Sequence, residues 1–191
     1  MQKERLTAFS DGVIAIIITI MVLELKVPHA ADWGALAALA PTFFSYVLSF
    51  VYIAIYWNNH HHMLYACEHV NGAILWANLH LLFWLSLIPF ATGWMGENHF
   101  AALPTALYGV SLLMPAIAYY VLQSAIIALH GRQGMLARAV GADFKGKISP
   151  VLYLTAIGLA FVAPWAAQAI YVGVALMWLI PDRRIEGVMR H

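Results

Sequence analysis

Residues 35–57 read ALAALAPTFFSYVLSFVYIAIYW, twenty-three residues without a charge. About 20 apolar residues in a helix cross a hydrocarbon core roughly 30 Å thick, and Pro41 is tolerated in the first turns. Outward from this stretch the pattern repeats. On the N-terminal side Gly12–Leu23 is apolar, extended by Thr7–Asp11 before it and Glu24–Val27 after it. On the C-terminal side come Val70–Thr92, ending near Pro89, and Ala101–Leu129, with Pro115 in its interior where a kink is expected. The last apolar run, Ile148–Ile180, is 33 residues broken by Pro164. As one helix it would be about 50 Å long, too long even for a steep tilt. Two short antiparallel spans meeting near Pro164–Trp165 fit better. Ser149–Pro150 suits a helix start, a capping hydroxyl followed by proline. The expected fold is therefore all-α: a polytopic membrane protein of six spans, the last two short, forming one domain over residues 1–191.

Composition agrees. The chain is 63% hydrophobic and 10% charged, with a mean hydropathy of +0.77; soluble domains are about a quarter charged. A net charge of +1 and ten scattered Lys/Arg exclude a nucleic-acid footprint. The one cysteine, Cys67, excludes a disulfide framework and a thiolate metal cage, and reads as a small buried hydrophobe.

Charge sets the orientation. In a six-span arrangement Lys3, Arg5, Arg132, Arg138, Lys145, Lys147, Arg183, Arg184 and Arg190 share one side, and Lys26 alone falls on the other. That bias places both termini in the cytoplasm. Lys3 and Arg5 before a short apolar run imitate a secretory signal, but no small-x-small cleavage site follows before Pro28. Trp33, Trp57, Trp94 and Trp165 fall near expected span ends, where interfacial anchors belong. Pro115 and Gly109 are expected to serve kinking or packing, and the basic connection 131–147 to face anionic lipid head groups.

The first span carries a narrow stripe. At about 100° per residue, with Ile16 at zero, Gly12, Ile20, Leu23 and Val27 all lie within about 40° and Thr19 borders them. Asp11 points about 140° away. An acid near the start of a span is costly and should face the bundle, paired with a donor, or rest in the field of the helix N-terminus.

Arg5-x-x-x-Phe9-Ser10-Asp11 at the start of this span resembles the signature of the transmembrane protein 175 family, the endosomal and lysosomal potassium channels. The resemblance continues through Gly12-Val13-x-Ala15-Ile16 and Thr19-x-x-Val22-Leu23. It extends to Tyr56-Trp57-x-x-His60-His61, Asn78-Leu79-x-Leu81-Leu82-Phe83 and Pro89-Phe90-x-Thr92. It implies a single-repeat, prokaryotic-type member: a homotetramer in the cell membrane of a prokaryote, passing potassium ions, with four first helices around the pore. It implies a main constriction at Ile16, seven residues after the motif Phe9, a threonine layer at Thr19, and further constrictions at Ile20 and Leu23. It also implies that Arg5, Phe9, Ser10 and Asp11 form a structural motif holding the pore helix by hydrogen bonds to neighbouring helices. Candidate partners are His60, His61, Asn78 and His80.

No loop of the Thr-Val-Gly-Tyr-Gly kind is present, so a filter of carbonyl rings is excluded. A ring of Ile16 side chains would act by dewetting. Ions crossing it shed water, and potassium sheds water more easily than sodium. Four Thr19 hydroxyls would supply partial replacement ligands, giving modest selectivity. No cofactor is implied beyond the permeant ion.

The cluster Asn59-His60-His61-His62, with His69 and His80, is the rival feature. Adjacent helical histidines splay about 100° apart and cannot all chelate one ion, and no second histidine box exists, so a metal enzyme is disfavoured. They suit pH sensing or interfacial polarity in or beside the connection between the second and third spans. The alternative function is a proton- or cation-coupled secondary transporter using Asp11 and these histidines as a relay. Transporters carry charges at mid-membrane; here no Asp, Glu, Lys or Arg occupies the middle of any span, which favours the channel.

Overall fold

The computed structural model describes residues 3–131, 133–141 and 143–179. Arg132, Ile180, Arg183, Arg184 and Arg190 lie outside them. Every regular element among the described residues is a helix. Helix α1 (Lys3–Ile20) tightens into a 3-10 turn over Met21–Glu24, together about 35 Å long. The expected extension of the helix to Val27 therefore stops at Glu24.

Short helix α2 (Trp33–Ala38) is capped by Asp32, whose carboxylate accepts from the Ala35 amide at 2.8 Å. It leads into α3 (Ala40–Tyr65), with Pro41 in the first turn. Here the sequence reading falls short: α3 does not end at Trp57 but continues two further turns through the histidines. The physical reason is that Asn59 is satisfied by its own helix and His60 by a partner inside the bundle. Asn59 donates to the Ile55 carbonyl at 2.8 Å and His60 bonds Asn78 at 2.7 Å. Trp57 is accordingly not an end anchor.

Helix α4 (Gly72–Ser86), capped by Asn71, breaks at Leu87 and resumes as α5 (Ile88–Glu97). Pro89 was expected to close this span. It instead occupies the first turn of α5, where its missing N–H costs nothing. Next come α6 (Ala102–His130), with Pro115 inside it, and α7 (Met135–Val140). The last pair is α8 (Phe144–Leu159) and α9 (Pro164–Leu179). Pro164 opens α9 after a turn at 160–163, so the last apolar run is broken where expected. The start of α8 is earlier than Ser149–Pro150: Asp143 caps it by accepting from the Gly146 amide at 3.0 Å. The Ser149 hydroxyl instead donates to the Lys145 carbonyl.

Among the described residues, four segments are long and apolar enough to cross a membrane: 3–24, 40–65, 72–97 and 102–130. Helices α8 and α9 have 16 residues each and pack on one another.

Two apolar clusters hold the bundle. One joins α1, α3, α4 and α6 through Ile14, Ile17, Ile53, Leu81 and Leu122. The other joins α3, α5, α6, α8 and α9 around Tyr52, Tyr108, Tyr153 and Tyr171. Helices approach closely at glycines: a Cβ on Gly96 would lie 2.6 Å from the Thr42 Cα, and one on Gly109 would lie 2.2 Å from the Tyr171 hydroxyl. Gly109 thus serves packing. The exterior is oily, with Phe44, Trp76, Phe83, Phe90 and Leu154 exposed, as a lipid-facing surface requires. At one end, the Lys3 ammonium donates to the Tyr65 carbonyl at 2.9 Å. There too, His130 Nε2 accepts from the amides of Glu68 and His69, both at 3.1 Å, tying the α3–α4 connection to α6. At the other end Lys26 pairs with Glu97, whose carboxylate raises the ammonium's pKa above its ordinary value.

Candidate functional site: the first helix

Helix α1 has two faces of opposite character. Glu4, Arg5, Ala8, Phe9, Gly12, Ala15, Ile16, Thr19 and Ile20 are exposed and cover an arc of about 160°. Leu6, Ser10, Ile14 and Ile17 are buried on the opposite arc, about 80° wide. A helix packed only against its own protomer leaves this stripe bare: Ile16 is 61% exposed and Leu23 74%. Residues three apart eclipse in a 3-10 turn, so Leu23 stays in line with Ile20 even though the α-helix has ended. Ile16, Ile20 and Leu23 therefore make three aliphatic levels about 6 Å apart.

Thr19 sits between the first two levels. Its hydroxyl donates back to its own helix, at 3.0 Å from both the Ala15 and Ile16 carbonyls. With the proton committed there, the oxygen's lone pairs face outward, the orientation a cation ligand needs.

The buried face carries a polar chain. Ser10 Oγ donates to the Leu6 carbonyl at 2.9 Å and accepts from Asn78 Nδ2 at 2.9 Å. Asn78 Oδ1 lies 2.7 Å from His60 Nε2. Because the Asn78 amide nitrogen is donating, its oxygen must accept, and His60 carries its proton on Nε2. Ser10, Asn78 and His60 are all fully buried. This chain spans α1, α4 and α3 and fixes the rotation of α1, which is what turns Ile16 outward. Asp11, on the flank of the helix, accepts from the Trp57 indole N–H at 3.0 Å.

Four expected members lie apart from this network. Arg5 is exposed and makes no hydrogen bond or ion pair among the described residues. Phe9 is 52% exposed on the stripe side, not packed behind it. His61 is exposed beside the Trp57 ring, and His80 accepts from Trp84 on its own helix at 2.8 Å. Among the described residues no three His, Cys, Asp or Glu side chains converge as a metal site. Sequence reasoning missed Trp57 as the donor to Asp11, because the span was expected to end there. The available signal was a tryptophan in register with a span-embedded acid.

The profile of the family described as the endosomal/lysosomal potassium channel TMEM175 matches residues 5–89. A potassium channel of Chryseobacterium sp. (strain P1-3) is 55% identical over 190 residues, covering 100% of this chain and 99% of that one. The chain belongs to the TMEM175 family. Another relative, a potassium channel of Streptomyces collinus, is 36% identical over 132 residues, 63% of each chain. The crystal structure of a lysosomal potassium-selective channel TMEM175 homolog from Chamaesiphon minutus superposes with a TM-score of 0.82. It is 28% identical, covering 93% of this chain and 96% of that one. TMEM175 proteins are membrane ion channels and not enzymes, and the helical architecture here is theirs.

Proposed function

We propose that this chain is the subunit of a homotetrameric potassium channel whose pore is lined by four copies of α1. The observation that carries the reading is the bare face of α1: Ile16, Thr19, Ile20 and Leu23 aligned and exposed, with the helix locked from behind by Ser10, Asn78 and His60. A relative named as a potassium channel and matched over the full chain supplies the ion. In this reading six spans, α8 and α9 being the two short ones, form one unit in a prokaryotic plasma membrane with both termini cytoplasmic. Arg5, on the exposed arc, takes its partners from a neighbouring protomer.

Conduction follows from the geometry. Stacked aliphatic rings offer no ligand, so an ion crossing them sheds water, and the ion that holds water less tightly crosses faster. Thr19 oxygens replace part of the lost shell between the Ile16 and Ile20 levels. Purified protein in liposomes loaded with potassium tests this. Ile16→Asn should raise flux and narrow the preference for potassium over sodium, because a polar ring keeps the throat wet. Flux and preference both unchanged would remove Ile16 from the constriction.

A further inference from the structure

Helices α3, α6, α7, α8 and α9 enclose a cavity of about 540 Å³, a size in the range of ligand sites. Its wall is graded in polarity. Along α3 it passes from Val51 and Ile55 to Asn58 and His62; along α6, from Ala116 to Gln123; along α8, from Tyr153 to Lys145. All three gradients run the same way, toward the end where Lys3 meets Tyr65 and His130 holds the α3–α4 connection.

Gln123 is the telling residue. It is 6% exposed, lines the cavity, and makes no hydrogen bond among the described residues. Its amide opens onto the cavity, so whatever fills the cavity supplies its hydrogen-bond partners. Water alone would satisfy Gln123 but not the aliphatic and aromatic inner half. The mouth holds charges of both signs, Lys145 and Asp143, beside His62. The Lys145 ammonium also lies 5.9 Å from the centre of the Trp178 ring.

We propose that this cavity is a binding site for a zwitterionic phospholipid of the phosphatidylethanolamine type. Its phosphate faces Lys145, its ammonium faces Asp143, an ester carbonyl accepts from the Gln123 amide, and an acyl chain runs inward past Ile55 and Tyr153. The site is separate from the α1 face, so it stands or falls independently of where ions pass.

The test uses purified channel in nanodiscs containing phosphatidylethanolamine with a diazirine on the acyl chain, crosslinks being mapped by peptide mass spectrometry. Crosslinks should fall on the α3 and α8 wall around Ile55 and Tyr153. Ala116→Trp, which fills the inner half, should abolish them, and Ala139→Phe on α7 is the second blocking variant should the first fail to fold. Native mass spectrometry should show phosphatidylethanolamine retained over phosphatidylglycerol, and Lys145→Ala should weaken that retention about tenfold, the loss of one charge-assisted hydrogen bond. Crosslinks confined to outward residues such as Phe44 and Leu154, insensitive to both blocking variants, would overturn the site. Equal retention of the two lipids would overturn the head-group assignment and with it the proposal.

Discussion

Asn78→Leu is the most informative single change to the frame behind α1. The side chain is fully buried and bridges two helices to a third, donating to Ser10 at 2.9 Å and accepting from His60 at 2.7 Å. Leucine keeps the branched outline of the side chain and removes both bonds. Interhelical hydrogen bonds in membranes are worth about 0.6 kcal/mol on average, so their loss alone is modest. The larger effect is a stranded partner: the His60 N–H, buried with nowhere else to donate, costs about 1–3 kcal/mol. The expected destabilisation is therefore about 2–4 kcal/mol. Once Asn78 is gone, His60→Leu removes the stranded group and should restore part of the loss, giving a coupling of about 1 kcal/mol or more in a double-mutant cycle. Unfolding of the purified protein by SDS in mixed micelles, followed by tryptophan fluorescence, supplies the four stabilities. Additive penalties would refute the shared network and free α1 from it.

Three other outcomes are expected. Gly96→Val places a Cβ 2.6 Å from the Thr42 backbone and should cost about 1–3 kcal/mol, whereas Gly12→Ala, with nothing within 4 Å of its Cβ, should leave stability intact in the same unfolding assay. His130→Leu removes the acceptor for two backbone amides, so hydrogen exchange at Glu68 and His69 should accelerate while exchange in the middle of α4 stays slow. Thr19→Val keeps the shape of the side chain and breaks only bonds within α1; folding should be unchanged and liposome potassium flux should fall several-fold.

Four long spans were legible because 3.6-residue helices in lipid leave uncharged runs of the right length, and Pro164 announced the break between α8 and α9. The stripe on α1 was legible for the same reason: helical geometry alone puts Ile16, Ile20 and Leu23 on one side. Helix ends were less so. Polarity at Asn58–His62 reads as an exit from the membrane unless the partners are known, and the partner of the buried His60, Asn78, lies on another helix. Pro89 reads as a terminator for a similar reason, since only the resumed helix reveals it as a first-turn residue. Trp57 shows the cost of such an error: taken for an anchor at a span end, it lies instead within reach of Asp11. The graded cavity was invisible to sequence, because it is assembled from five helices and depends on which of their faces meet.

The pore-lining face of α1 is tested most directly by cysteine accessibility. In a Cys67→Ser background, single cysteines at Ile16, Ile20 and Leu23, and at the buried controls Ile14 and Ile17, are challenged with silver ion during potassium current in planar bilayers. Block at the three stripe positions and none at the two controls is the expected result. Current that survives silver at every stripe position would contradict it, since ions would then pass by a route that α1 does not line.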